Sequence, residues 1–193
     1  MMKKLIFATN NPNKLAEIKS AIKTFEVVGL KEMGIVEDIA ETGTTLEENA
    51  LIKSQYIFHK TGLDCFADDT GLEVKALNGR PGVYSARYAG PNCSAVDNMG
   101  KLLNELENHD DRSARFRTVI SLILNGEKYY FEGEVMGDIL SQKKGVDGFG
   151  YDPIFQPKGF SASFAEMSMT QKNEISHRGI AVKKLIQFLS DYS

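Results

Sequence analysis

Apolar positions along the chain follow two periods, and these set out an alternation of strands and helices. Lys4 to Ala8 reads as a short buried strand that runs straight into Thr9-Asn10-Asn11-Pro12. Asn11 can cap a helix whose first position is Pro12. Leu15, Ile18, Ile22 and Phe25 then recur at helical spacing. A second helix follows Thr45, where Thr45-Leu46-Glu47-Glu48 has the form of a capping box and Leu46, Ala50, Ile57 and Phe58 give an apolar side. Asp64 to Ala67 and Leu72 to Ala76 read as strands joined by a turn at Asp68-Asp69-Thr70-Gly71, with a loop at 78–82. Ser94 to Leu106 is helical, with Val96, Met99, Leu103 and Leu106 on one side. Phe116 to Leu124 and Lys128 to Val135 are strand-like, and Asn125-Gly126 between them is a strong hairpin signal. Lys143 to Asp152 is a glycine-rich loop. Ser176 or His177 opens a last helix with Ala181, Leu185, Phe188 and Leu189 along one stripe. A hairpin within an alternating series argues for a mixed sheet in an α/β or α+β fold.

Composition narrows the class without changing that picture. The 193 residues are 42% hydrophobic and 25% charged, values of an ordinary globular chain. A chain of this length buries roughly 70% of its unfolded surface and needs no disulfide or metal to fold. The net charge of −3 weighs against general nucleic-acid binding, which favours a basic surplus. Cys65 and Cys93 form neither a disulfide framework nor a CxxC pair and are expected as reduced thiols. The first residues lack the apolar run of about 7–15 that a signal peptide needs. No apolar stretch is long enough to span a bilayer. A soluble, cytoplasmic protein without membrane or nucleic-acid partners is expected.

Five polar segments, each at the end of a predicted element, carry the candidate chemistry. Thr9-Asn10-Asn11-Pro12-Asn13-Lys14 joins a strand to a helix N-terminus, where backbone N–H groups, the helix dipole and Lys14 favour an anion. Read alone, the segment also fits a plain cap with a surface lysine, and no P-loop sequence is present. Glu41-Thr42-Gly43-Thr44, with Glu47, Glu48, Asn49 and Lys53 after it, offers a metal ligand in Glu41. Glu47 and Glu48 also suit a helix first turn for dipole reasons alone. Asp68 and Asp69 repel one another, as paired carboxylates do where they serve Mg2+ or where one acts as a general base. An Asx turn is the structural alternative. Gly148-Phe149-Gly150-Tyr151-Asp152 fails the dinucleotide fingerprint but lets an aromatic ring lie on a flat ligand. Lys172, five residues before His177-Arg178 at a helix start, puts cations where the dipole disfavours them, which suggests a polar or anionic ligand.

Together these segments fit a nucleoside triphosphate with Mg2+, and their sequences resemble those of the inosine triphosphate pyrophosphatases, also called XTP/dITP diphosphatases. The similar stretches are Thr-x-Asn-x-x-Lys at 9–14, Glu-Thr-Gly-x-Thr-x-x-Glu-Asn-Ala at 41–50 and Ala-Asp-Asp-Thr-Gly-Leu at 67–72. They continue with Pro-Gly-Val-Tyr-Ser-Ala-Arg-Tyr at 81–88, Gly-Phe-Gly-Tyr-Asp-Pro-Ile-Phe at 148–155, Phe-Ala-Glu-Met at 164–167 and Ile-Ser-His-Arg-Gly at 175–179. They occur in family order over nearly the whole chain.

The resemblance implies one α/β domain over residues 1–193. In it a long curved mixed β-sheet is flanked by helices in two lobes, with the active site in the cleft between them. It implies a Mg2+-dependent homodimer that cleaves ITP, dITP or XTP to the monophosphate and pyrophosphate and so clears the nucleotide pool. It implies that Thr9, Asn10, Asn11, Pro12, Asn13 and Lys14 bind the triphosphate with Lys53 and Lys172. Asp69 is then the general base, placed near the metal with Glu41. Thr70, Phe149, Gly150, Tyr151, Asp152, His177 and Arg178 line the nucleoside site. Thr70 stands where serine is common in the family, and Ala40 where a further acid is frequent. The alternative is a nucleotide-binding or sensing protein without pyrophosphohydrolysis, which would have little use for the Asp68-Asp69 pair.

Overall fold

The computed structural model describes residues 2–192. Among these residues, seven strands form one mixed sheet flanked by five helices. In chain order the elements are β1 (Lys4–Phe7), α1 (Pro12–Ala21), β2 (Glu26–Gly29), α2 (Leu46–Thr61), β3 (Cys65–Val74), β4 (Pro81–Gly82) and α3 (Ala95–Glu105). They continue with β5 (Ser113–Leu124), β6 (Glu127–Ile139), β7 (Phe155–Pro157), α4 (Met169–Ile175) and α5 (His177–Asp191). The strand order is β2-β1-β3-β5-β6-β7, with β4 paired to β3. β1 runs parallel to β2 and β3, while β4 and β7 are antiparallel to their neighbours β3 and β6. The mixed α/β class expected from the alternation is therefore the one observed.

The chain forms two compact units. The first is Met1–Asp69, Val119–Glu132 and Ala181–Ser193; the second is Thr70–Thr118 and Gly133–Ile180. In the first, Leu5, Phe7, Ile18, Phe66, Ile120, Leu122 and Leu185 belong to one buried cluster, and Ile6, Ala8, Val28, Ile57 and Cys65 to another. β1 thus buries side chains of both parities, as a short all-apolar strand with two covered faces must. The second unit has its own core, which includes Leu72, Met99, Leu102, Phe116, Tyr151, Phe155 and Phe164.

Several elements differ from the sequence reading. α1 stops at Ala21, and Ile22 turns to extended backbone as its C-cap. Ile22 and Phe25 are buried nonetheless, because the chain turns back into β2 beside β1 and brings them to the same core. The turn expected at Asp68-Asp69-Thr70-Gly71 is absent: β3 runs unbroken from Cys65 to Val74. An Asx turn would leave the two carboxylates in water, whereas here Asp68 and Asp69 are both buried. β2, β7 and α4 are short elements without a periodic signal of their own. The capping box at Thr45, the hairpin turn at Asn125-Gly126 and the loop before Asp152 stand where the sequence puts them.

Candidate active site

The first unit gathers three acids and two lysines. Lys14 Nζ lies 2.9 Å from Asp68 Oδ2, and the Asp68 side chain is almost wholly buried. Lys53 Nζ lies 2.6 Å from Glu41 Oε1 and 3.7 Å from Asp69 Oδ1. Lys53 lies within α2, while Asp68 and Asp69 are consecutive on β3. A strand points neighbouring side chains to opposite faces. This lets each of the two adjacent acids make its nearest ion pair with a different lysine, while both lysines act on the pair.

Burial pushes the Asp69 carboxyl above the ordinary range. Lys53 opposes that shift, Glu41 adds to it, and Lys14 and the Asn49 amide oppose it more weakly. Lys53 is pulled down by burial but held above its usual value by Asp69, Glu41 and Asp68. A buried carboxylate with a raised pKa beside a second acid is the condition that suits a general base. In the sequence Asn49 stands out only as part of a motif. In the fold it is a fully buried brace, whose Oδ1 accepts a 2.8 Å hydrogen bond from the Gly43 amide.

The segment Thr9 to Lys14 leads from β1 into α1 as expected, but its amides at 9, 11, 13 and 14 are occupied. Asn11 Oδ1 accepts from the amides of Asn13 and Lys14 at 2.9 and 3.3 Å, and Pro12 has no N–H. Thr9 Oγ1 accepts from the Asn11 amide, and Asn10 donates to Asp38. What this loop offers an anion is therefore the Lys14 ammonium and polar side chains rather than a row of open amides.

Glu41 and Asp69 converge on one cation, here the Lys53 ammonium. No group of three or more His, Cys, Asp and Glu residues able to hold a metal occurs among the described residues. Two carboxylates fit the coordination of Mg2+, which takes one or two of them and completes its shell with water and substrate phosphate.

The second unit gathers a different set. Lys172 Nζ lies 2.7 Å from Asp152 Oδ2, and both side chains are buried. The same Oδ2 accepts from the Phe149 amide at 2.8 Å. Gly148 has φ +78°, and a Cβ there would stand 2.3 Å from Asp152 Oδ2, so the loop closes over its own carboxylate only with glycine at 148. Burial raises the Asp152 pKa, and Lys172 works against the rise. The Phe149 ring lies beneath two cations, with Lys172 Nζ at 4.7 Å and Arg178 Cζ at 5.3 Å from its centroid.

Arg178 Nη2 donates to Thr70 Oγ1 at 3.4 Å. The His177 ring stacks on Phe116 at 4.6 Å with 14° between the planes. Tyr151 is packed in the core, where its hydroxyl donates to the Ser85 carbonyl at 2.9 Å. Burial drives its pKa upward, which keeps that hydroxyl a donor. Of the two rings expected to stack, Phe149 is the half-buried one. Gly150 is half-buried beside it.

Lys172 stands five residues ahead of the helix start at His177, as the sequence suggests, but within a short helix of its own. It lies in the last turn of α4, where a cation suits the dipole. Ser176 then ends α4, and His177 begins α5. A Cβ at Gly179 would meet the Asn173 carbonyl oxygen at 1.9 Å, so the two helices abut only with glycine there.

A sequence model of the Ham1 family matches residues 5–188. A protein of Christiangramia forsetii named dITP/XTP pyrophosphatase is 56% identical over 188 residues, which is 97% of this chain and 99% of that protein. One of Porphyromonas gingivalis with the same name is 54% identical over 190 residues, 97% of this chain and 98% of its own. Among solved structures, the Ham1 protein of Staphylococcus aureus superposes with a TM-score of 0.91 at 44% identity, covering 99% of this chain and all of that one. A HAM1 protein from Coxiella burnetii gives 0.92 at 39% identity, covering 98% of this chain and all of that one. The chain belongs to the Ham1 family.

Proposed function

We propose that this chain hydrolyses non-standard purine nucleoside triphosphates, ITP, dITP and XTP, to the monophosphate and pyrophosphate. The observation that carries the proposal is the buried Asp69 carboxyl facing Lys53 with Glu41 beside it. The relatives named above as dITP/XTP pyrophosphatases, at about half identity over nearly their full length, support the substrate class.

Residues 1–193 act as one functional domain in this reading. Lys14, Lys53 and the side chains of Thr9, Asn10, Asn11 and Asn13, on a loop shaped by Pro12, hold the triphosphate. Lys172 adds positive charge. Thr70, Phe149, Gly150, Asp152, His177 and Arg178 serve the nucleoside, with Tyr151 fixing the loop from the core. Asp69 takes a proton from water as the water oxygen bonds to the α-phosphorus. The anhydride bond to the β-phosphate breaks, and pyrophosphate leaves with the electron pair. Mg2+, held by Glu41 and Asp69, would neutralise charge on the phosphates. Lys53, which pairs with both acids, would supply a further positive charge beside the phosphates.

No helix among the described residues is long and apolar enough to cross a membrane. A cytoplasmic homodimer without nucleic-acid partners is part of the proposal and rests on the sequence resemblance; sedimentation at micromolar concentration tests the dimer. The function itself is tested by product analysis across ITP, dITP, XTP, GTP and ATP, with Mg2+ and with EDTA. Pyrophosphate in equal amount to the monophosphate, from ITP and XTP and only with the metal, is expected. Binding without turnover would make the chain a nucleotide sensor instead.

A further inference from the structure

Thr118 is fully buried on β5, and its hydroxyl lies 2.8 Å from Thr70 Oγ1 on the neighbouring strand β3. Thr70 Oγ1 in turn accepts from Arg178 Nη2 at 3.4 Å. A hydroxyl has one proton and two acceptor sites, and a guanidinium only donates. The Arg178 donor therefore takes an acceptor site on Thr70, and the bond to Thr118 engages either the Thr70 proton or its other acceptor site, which anchors the hydroxyl from the β5 side. The arginine is buried as well, with Phe149 across the face of its guanidinium. Thr118 stands 48 positions from Thr70 along the chain, so the cross-strand contact alone joins them. Thr118 has no ionic role, and a fully buried threonine costs stability relative to valine unless its hydroxyl is used.

We infer that Thr118 is a positioning residue for base selection: through the Thr70 hydroxyl it holds the Arg178 guanidinium where that group meets the purine. The inference rests on the proposed function, since it assigns Arg178 to the base, and it adds a residue that touches no substrate. It predicts that purine choice depends on a hydroxyl buried behind the nucleoside site.

Thr118→Val keeps the shape and removes the hydroxyl. Measured as kcat/KM, the ratio of ITP to ATP is expected to fall roughly three- to ten-fold, the size of one lost neutral hydrogen bond. Thr118→Ser should restore it. Thr118→Ala, which cannot overpack, gives the same reading if the valine protein folds poorly. A ratio that stays at the wild-type value in both Val and Ala proteins overturns the inference, even where the melting temperature drops, because a purely structural threonine would shift stability without shifting purine choice. The proposed function is judged separately on the unaltered protein. If that protein binds ITP without hydrolysing it, the same ratio is read as Kd by calorimetry; if it binds neither nucleotide, both the function and the inference fail.

Discussion

The Lys172 ammonium and the Asp152 carboxylate form a buried ion pair at 2.7 Å, and that carboxylate also holds the amide of Phe149. One oxygen therefore links α4 to the loop that presents the aromatic ring. Breaking a buried pair from one side leaves an uncompensated charge and typically costs about 3–5 kcal/mol. Lys172→Met is expected to lose stability on that scale. The double variant Lys172→Met with Asp152→Asn should recover much of it without regaining activity. Urea denaturation of the three proteins checks this. If the single variant matched the wild type, the pair would be a solvated contact of no structural weight.

Asp69→Asn should keep nucleotide binding and lose most turnover. Loss of a positioned general base costs about 10²–10⁴-fold. Steady-state kinetics with ITP, together with calorimetry for binding, separate the two effects. A kcat close to the wild-type value would remove Asp69 from the chemistry.

Lys14→Ala is expected to weaken ITP far more than inosine, because the loop's amides at 13 and 14 are taken by Asn11 and the lysine is its main positive group. The same change strands the buried Asp68. Adding Asp68→Asn should restore stability while leaving triphosphate affinity low. Equal losses for nucleotide and nucleoside would place Lys14 outside the phosphate site.

Arg178→Ala should lower kcat/KM for ITP much more than for ATP. Hypoxanthine offers an acceptor at O6, which suits a donor-only guanidinium, and adenine offers a donor there. Asp152 has less freedom to read the base, since its Oδ2 already serves Lys172 and Phe149. Asp152→Asn is accordingly expected to act through loop order, raising KM for both nucleotides alike. The comparison of both substrates on both variants decides the division of labour.

The alkaline side of the stability curve has a definite sign. Burial, and then the charge of Asp64, pushes the Cys65 thiol up to about 12. Burial and the bond to Glu105 push the Tyr88 hydroxyl to about 12. Unfolded, these groups ionise near about 8.5 and 10. Between those values and 12 the unfolded chain releases protons that the folded one keeps, so stability falls as pH rises above about 9. Cys65→Ala should be less stable than the wild type at pH 7, with the gap narrowing by pH 10.5. A gap that stayed constant would show that the thiol does not contribute to the pH dependence.

Local chemistry is legible in the sequence and distant pairing is not. Thr45 and Glu48 announce their helix start because the capping box closes within three residues. Asn125-Gly126 announces the hairpin because both residues adopt positive φ. Asp68-Asp69-Thr70-Gly71 looks like a turn because two adjacent acids repel in isolation. The lysines that satisfy them come from α1 and α2, far along the chain. α4 has only seven residues, too few for a helical period to register, although Ser168 and Gln171 form a capping box that could mark it. Asn49 shows in the sequence only as part of a motif, and Thr118 not at all, because their contacts are with other segments of the chain, which no spacing rule exposes.

The break at Ser176 has a consequence for how this sequence can vary in length. Lys172 and Arg178 lie on two different helices, with Gly179 pressed against the Asn173 carbonyl between them. Each residue added to a helix turns the rest of it by about 100° and advances it about 1.5 Å. A substitution near the break alters one contact. A one-residue insertion or deletion there instead swings His177 off Phe116 and Arg178 off Thr70 together. The number of residues from 172 to 179 thus sets where His177 and Arg178 stand as much as their own side chains do.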